Sequence, residues 1–513
     1  MTHHHHSLLL TTLLAGCALG DTPPLDETDD AELARGTPSP GAAGVGDVLY
    51  PTLGNGGYDV AHYHLALRYA TAEPTQQLAG TVTILARATQ ALSRFDLDFH
   101  GDGFGAVTVD GRRADAQWDG DELVIVPPRP IQRGDLFIVR VADFTATPIV
   151  PDPTQFLGAP FFATPDGSAW AGQSAFAHYI FPSNDHPSDK ASFTFSIDVP
   201  AGTTAVANGV LVAQHTGGGR TLWLYDQEQP MATELAQVAV GAFTVLERGS
   251  HDGVIVRDVV PTRLAAELEP KLAAVTDHLD FMAGLVGAYP FDSYGTLVVD
   301  TQLGFALETQ TLSLFESQFF ALDPAQFEPI MVHELAHQWF GDSVAPAVWS
   351  DVWLNEGHAS WYEYTFQLDP DSDVFVEQAR QVYALGDQFR AAFGPVGAPR
   401  SGNPVDVFNP NVYVGGALTL FALRQVVGDA TFKDIERAWV HVYRGRSAST
   451  ADFIALASRV AGQDLTDFLN DWIYGTTTPA MPGHPDWTVD PVTASLTATV
   501  PWTIGNKRRA MRR

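Results

Sequence analysis

A single cysteine in 513 residues, Cys17, excludes a disulfide framework and any cluster of thiolate metal ligands. Basic residues are also scarce: 29 Lys and Arg face 60 Asp and Glu, for a formal charge of -31. Nucleic-acid phosphates and anionic headgroups would be repelled by such a surface, so neither is an expected partner. The charge serves solubility or draws in cationic peptides. Long apolar runs are missing too. Leu8 to Leu14 is too short to span a bilayer, and no other stretch could cross one. Packing material is plentiful, at 45% hydrophobic and 11% aromatic, and the length allows about three to four domains. No internal repeat is evident.

Chemistry concentrates in one region. His333, Glu334 and His337 stand in the run Val-His-Glu-Leu-Ala-His-Gln-Trp, and Glu356 follows in Leu-Asn-Glu-Gly, 19 residues after the second histidine. Residues four apart share a helix face, so both imidazoles can reach one Zn²⁺ at roughly 2 Å. Three protein ligands leave a fourth position open, where the metal lowers the pKa of water from about 16 towards about 7. Glu334, one position round the helix, is placed to take that water's proton. Asp323-Pro324 can start a turn, Pro329 suits a first helical turn, and Ile330 to Phe340 runs unbroken to Gly341-Asp342. A second helix is predicted from about Asn355 through Tyr364, opened by Glu356, with Gly357 allowing close approach to the first.

These residues carry a resemblance. His333 to Glu356 resembles the gluzincin metallopeptidases, and Trp339-Phe340-Gly341-Asp342 with Trp353-Leu354-Asn355-Glu356-Gly357 is similar to the aminopeptidase N family, which includes leukotriene-hydrolase-like enzymes. The likeness extends from about Tyr58 to about Pro482. It implies one Zn²⁺ per chain held by His333, His337 and Glu356, with Glu334 as general base.

Further family elements fall on individual residues. Phe305-Ala306-Leu307-Glu308-Thr309 resembles the family's Gly-Ala-Met-Glu-Asn strand, only the Ala and the Glu matching in type. The resemblance implies that Ala306 contacts substrate and that Glu308, 25 residues before His333, holds the free α-ammonium of a peptide by charge-assisted hydrogen bonding. Asn411-Val412-Tyr413-Val414-Gly415-Gly416 is similar to the family's Tyr-x-Lys-Gly setting, with Gly415 where a basic residue is usual, and makes Tyr413 the oxyanion donor. Phe181-Pro182-Ser183-Asn184-Asp185-His186 to Ala191 matches a further block. The family's second acidic amine anchor then falls on Gln173, whose neutral amide can accept a hydrogen bond without an opposing charge.

The chain ends suggest a setting. Leu14-Ala15-Gly16-Cys17 resembles the bacterial lipobox, in which the cysteine is lipidated, although Met1 to Ser7 lacks Lys and Arg. A body tethered outside a bacterial cell, or secreted, is the expectation, with a monomer as the expected state and a lipid anchor as its only membrane attachment. The expected divisions are a signal segment at 1–17, a disordered acidic and Pro-rich spacer at 18–50, an all-β domain at 51–248, a thermolysin-like peptidase domain at 249–485 and a tail at 486–513. Only about 30 residues follow Pro482, so the long helical domain of larger family members is not expected, and a more open cleft is.

Period-two alternation predicts strands at His62 to Tyr69, Gly80 to Ala86, Phe95 to Phe99, Glu122 to Val126, Leu136 to Val141, Ser192 to Val199, Thr221 to Tyr225 and Glu234 to Val240. From Pro261 the pattern turns helical, as in Leu264 to Val286, with short strands at Gly295 to Val299 and around Leu307. Helices follow near Val374 to Phe393, Ala417 to Val427, Thr431 to Tyr443, Thr450 to Ala457 and Leu465 to Ile473, and a last strand at Ser495 to Val500. The expected fold is multidomain α+β. The reaction implied is hydrolysis of the N-terminal peptide bond. Two alternatives remain open: another zinc hydrolase on the same site, either an endopeptidase or an epoxide hydrolase, and a non-catalytic peptide-binding lipoprotein.

Overall fold

The computed structural model describes residues 36–71, 77–149, 159–400 and 407–491. Cys17, the apolar run before it, the strand expected at Ser495 to Val500 and the basic tail lie outside the described residues. Among the described residues no helix is long and apolar enough to cross a membrane.

The N-terminal part is built on an eight-stranded sheet. Its centre is Tyr58–Arg68, which pairs antiparallel with Leu78–Ala88 on one side and parallel with Ala191–Pro200 on the other. Leu136–Ala146 extends the first side, and Arg220–Met231 followed by Val210–Gly217 extends the second. Along Tyr58–Arg68 the residues Val60, Tyr63, Leu65 and Leu67 are buried while their neighbours are not, as a sheet with one covered face requires. Two four-stranded sheets pack around this one, and the second, made of Phe161–Thr164, Gly167–Ala171, Gln237–Gly241 and Thr204–Ala207, lies on the catalytic side of the chain.

A fourth sheet begins the C-terminal part. The hairpin Phe243–His251 and Val254–Pro261 is followed by the parallel strands Thr296–Val299 and Ser313–Glu316. The expected border at 248 therefore cuts through a strand. Only Ala242 separates Gln237–Gly241 from Phe243–His251, so the strand pattern alone carries no mark of the change from one sheet to the next. Val259, Leu297, Val299, Leu312 and Leu314 sit in the core of the β part, whereas Val256, Val260 and Val298 face the helices, so this sheet is the shared wall of the two halves.

Helices complete the second half. Leu264 to Val286 is two segments, Ala265–Leu268 and Val275–Val286, because Pro270 ends the first. The run Val374 to Phe393 is likewise divided, into Asp373–Ala384 and Gly386–Phe393, and a Cβ on Gly386 would lie 2.3 Å from Thr478 Oγ1. Gly416–Val427, Asp429–Val442, Thr450–Ala461 and Thr466–Tyr474 stand within a residue or a few of the expected positions. The strand expected from Glu234 opens instead as a tight turn, Thr233–Leu235, with the strand starting at Gln237.

The spacer expected up to residue 50 is packed where the structure describes it. Ser39–Pro40 runs parallel to Leu92–Asp98, and Leu49, Tyr50 and Leu53 are buried in the core of the catalytic half. Its polar composition misled because the few apolar residues are concentrated at the end that packs, and Asp47 is buried as a hydrogen-bond acceptor rather than solvated.

Candidate metal centre and active site

The first histidine helix is Pro324–Ala336, starting earlier than expected. Asp323 caps it, Gln326 returns the bond to the cap, and Pro324 occupies the first helical position, where its missing N–H costs nothing. Pro329 is inside the helix. It forfeits one bond near the start, and the run continues past it. The regular helix ends at Ala336, yet His337 keeps helical angles and bonds its N–H to His333 O at 3.3 Å, so the two imidazoles remain one turn apart with ring centroids separated by 4.9 Å.

Glu356 lies on the next helix, Trp353–Gln367. One of its oxygens, Oε2, stands 3.2 Å from His333 Nε2 and 3.4 Å from His337 Nε2, and all three residues are at least 97% buried. The outer nitrogens are committed elsewhere. His333 Nδ1 is 2.9 Å from Glu363 Oε2, and His337 Nδ1 donates to Phe340 O at 3.1 Å. With protons on Nδ1, both Nε2 atoms face the same carboxylate oxygen, so a positive charge between them, whether a proton or a metal ion, holds the three groups together. Burial alone would lower the pKa of His337, but Glu308, Glu356 and Glu334 raise it to about 10. The same histidine drives the Glu356 carboxyl far below its usual range against the pull of burial. A field that strong suits a dication, and nitrogen and oxygen donors in this number are a zinc set. The fit of His333, His337 and Glu356 to Zn²⁺ is good.

Gly357 was expected to bring the Glu356 helix close to the histidine helix. Its close approach is instead to Gly416, whose Cα would be 2.9 Å from a Cβ at 357. Gly341 is the glycine that serves the metal turn: its φ is 137°, its N–H bonds Val344 O at 2.9 Å, and a side chain there would press on Asn355 and on His337 Nδ1 at 3.3 Å.

A cleft opens over these groups, lined by Gln173, Ser174, Gly304 to Glu308, His333, Glu334, His337, Glu356, Phe408 and Tyr413. The expected catalytic, metal and substrate residues are therefore brought together. Glu334 and Glu308 each offer an oxygen within 4.8 Å of His337, so the expected base and the expected amine anchor flank the metal position. Gln173 Nε2 donates to Glu308 Oε1 at 2.5 Å, which commits one of the amide's two N–H groups to the anchor. Leu307 exchanges backbone bonds with Leu314 at 3.0 and 2.8 Å, so the segment carrying Glu308 is an extended edge beside Ser313–Glu316. Phe305 packs toward the β half, 6.3 Å from the Phe162 ring, while Ala306 packs toward the helices.

Tyr413 is presented by a π-helical turn, Asn411–Gly415, at the head of Gly416–Val427, and its ring lies 6.0 Å from His333 at 17°. Burial, reinforced by Glu356, Glu308 and Glu334, holds its phenol well above the usual value, so it stays a proton donor. Gly415 has a structural reason for lacking a side chain, since a Cβ there would fall 2.1 Å from Asn411 Oδ1.

Several supporting residues escaped the sequence reading. Glu363 is seven residues after Glu356 on the same helix face, a spacing that could have revealed it as a partner for one of the histidines. Gln338 donates to Glu308 O at 3.0 Å and accepts from Thr311 N at 2.8 Å, fixing the anchor's backbone. Lys190, from the Phe-Pro block, donates to Asp342 O at 2.6 Å and Ser343 O at 2.8 Å and ties the β half to the turn after the histidines. Nothing in the sequence connects these last two to their targets.

Two histidines on one helix, a carboxylate from the helix after it and a carboxylate base between them define the metallopeptidase class with a Glu as third zinc ligand. Comparison with known proteins resolves the family. Residues 170–235 match the Peptidase M1 N-terminal domain and residues 271–472 the Peptidase family M1 domain, and the chain belongs to peptidase family M1. The crystal structure of the M1 zinc metallopeptidase from Deinococcus radiodurans is 29% identical with a TM-score of 0.74, covering 86% of this chain and 99% of that one. A mutant of that enzyme bound to a Tyr-Ser-Ala substrate superposes with a TM-score of 0.75 over 86% of this chain and all of that one, at 29% identity. Aminopeptidase M1-A of Oryza sativa subsp. japonica is 29% identical over 58% of this chain and 36% of its own length. Aminopeptidase N of Lactococcus lactis subsp. lactis is 26% identical over 61% and 38%. The chain thus spans little more than a third of the curated relatives it matches.

Proposed function

We propose that this chain is a zinc-dependent aminopeptidase that hydrolyses the N-terminal peptide bond of peptides with a free amine, using one Zn²⁺ held by His333, His337 and Glu356. When bound, the metal supplies Lewis acidity, polarising the scissile carbonyl and acidifying water. The observation that carries the reading is Glu308, a buried carboxylate within 4.8 Å of Glu334 and His337 and tied to Gln173. A charge placed so close to the reacting centre can hold an α-ammonium one residue from the bond to be cut.

The chain's own residues account for the remaining steps. Glu308 and the Gln173 carbonyl accept hydrogen bonds from the ammonium, and the extended segment through Ala306 aligns the peptide backbone. Glu334 takes a proton from the attacking water on its carboxylate and delivers it to the departing nitrogen. The Tyr413 hydroxyl donates to the oxygen on which negative charge develops. His333 and His337 keep their orientation through Glu363 and Phe340 O.

The test is a pair of substrates. An aminoacyl anilide with a free amine should be cleaved, and its N-acetyl derivative should not. Cleavage of both at similar rates would favour an endopeptidase and defeat the aminopeptidase reading. For the cell, we propose a lipid-anchored or secreted protein of the bacterial envelope, supported by Leu14-Ala15-Gly16-Cys17 alone. Cys17→Ser should abolish lipid labelling and release the protein; labelling that persists would contradict it.

A further inference from the structure

The segment ahead of the first long strand reaches the cleft from behind. Asp47 folds it into a turn, accepting from Leu49 N at 2.7 Å and Tyr50 N at 3.1 Å on one oxygen. Its other oxygen accepts from Trp349 N at 2.7 Å and lies 3.3 Å from His186 Nε2. Asp47 therefore joins a residue of the catalytic half to one of the β half. The turn delivers Tyr50, which is 6% exposed, into the seam.

Tyr50 touches two parts of the cleft wall. Its hydroxyl is 3.1 Å from Ser174 Oγ, and its ring meets Trp349 edge to face at 5.3 Å. Trp349 in turn meets Phe408 at 6.3 Å. Ser174 and Phe408 both line the cleft, and Ser174 follows Gln173, whose amide binds Glu308. Gly172, just before it, is pinned against the turn at Thr233 and Glu234, where a Cβ would lie 2.6 Å from Thr233 O. The short stretch 172–174 is thus held at one end by that turn and at the other by the Tyr50 hydroxyl.

We propose that Tyr50 is a positioning residue for the substrate's amino end. Through Ser174 it sets the place of Gln173, and so the geometry of the Gln173 and Glu308 pair that receives the ammonium; through Trp349 it backs the Phe408 wall. The inference rests on the aminopeptidase reading and deepens it. With one full charge and one neutral amide available, ammonium affinity depends on how accurately the amide is held. A displaced amide weakens binding of the amine before it affects the bond-breaking step, because Gln173 bonds the anchor Glu308, whereas the proton transfers fall to Glu334 and Tyr413.

The experiment compares wild type, Tyr50→Phe, Ser174→Ala and the double variant on a free-amine aminoacyl anilide and its N-acetyl form, with zinc content and Tm measured alongside. Tyr50→Phe keeps the ring against Trp349 and removes only the hydroxyl. The expected result is KM raised about three- to tenfold in each single variant with kcat within about twofold, and no further rise in the double variant. Zinc content should be unchanged. An unchanged KM in Tyr50→Phe, a fall in kcat at constant KM, or additive effects in the double variant would overturn the proposal. If the wild type cleaves the N-acetyl substrate as fast as the free amine, or faster, the aminopeptidase reading fails and takes this inference with it; a wild type that prefers the free amine, with an unaffected Tyr50→Phe, overturns the inference alone.

Discussion

Gly357→Ala adds one methyl group at a helix crossing in the catalytic half where two backbones meet. A Cβ at 357 would lie 2.9 Å from Gly416 Cα and 3.0 Å from Gly416 C, whereas ordinary contact is 3.4–4 Å. Both neighbours are backbone, so no side chain can swing away, and the helices must part by about 0.5 to 1 Å. Glu356 is the adjacent residue on the moving helix. Metal sites tolerate ligand displacements of about 0.2 Å, so the shift exceeds what the donor set can absorb. Overpacking of this kind costs about 1–3 kcal/mol, partly offset by about 1 kcal/mol from the better helix propensity of Ala. Stability of the metal-free protein should therefore fall only modestly, while zinc affinity should fall at least tenfold, about 1.4 kcal/mol. Competition against a chromogenic chelator reads the affinity, and Gly284→Ala is the control, since a Cβ there meets nothing within 4 Å and the helix gains about 1 kcal/mol. Wild-type zinc affinity in Gly357→Ala, with a raised Tm like that of the control, would refute the reasoning.

Other expectations follow from the same geometry. Glu363→Gln removes the carboxylate that orients His333 and should weaken zinc binding about 10- to 100-fold, read by the same competition. Tyr413→Phe should lower kcat about 100- to 1,000-fold with zinc content intact, and a loss confined to KM would contradict its role. Burial holds the His278 imidazole down at about 4, against an ordinary value of 6.5. The neutral form is the one the fold favours, so its contribution is full above pH 6.5 and disappears as pH falls through 4, an effect of about 3 kcal/mol. Urea unfolding at pH 7 and pH 4.5 should show a smaller acid loss in His278→Leu than in wild type; equal losses would remove His278 from the account.

The metal site was legible because its information is local. His333, Glu334 and His337 need only the spacing of one helix, and Glu356 needs only a second helix starting where Trp353–Gln367 starts. Strands such as Tyr58–Arg68 could be read for the same reason, since alternation records a buried face directly. What depended on distant partners was not legible. Lys190 meets the carbonyls of Asp342 and Ser343 across 152 and 153 residues, and Asp47 meets Trp349 across 302. No periodicity encodes such pairs. Gly357 shows a milder failure: the need for close approach could be read from its identity, but its partner, Gly416, could not.

Zinc titration of the chelated protein, followed by release of anilide from a free-amine substrate, tests the central claim most directly. The account predicts no turnover without metal, activity that rises linearly and stops at one Zn²⁺ per chain, and none at any zinc level in Glu334→Gln although that variant binds the ion. Turnover in the metal-free protein, or full activity in Glu334→Gln, would contradict it.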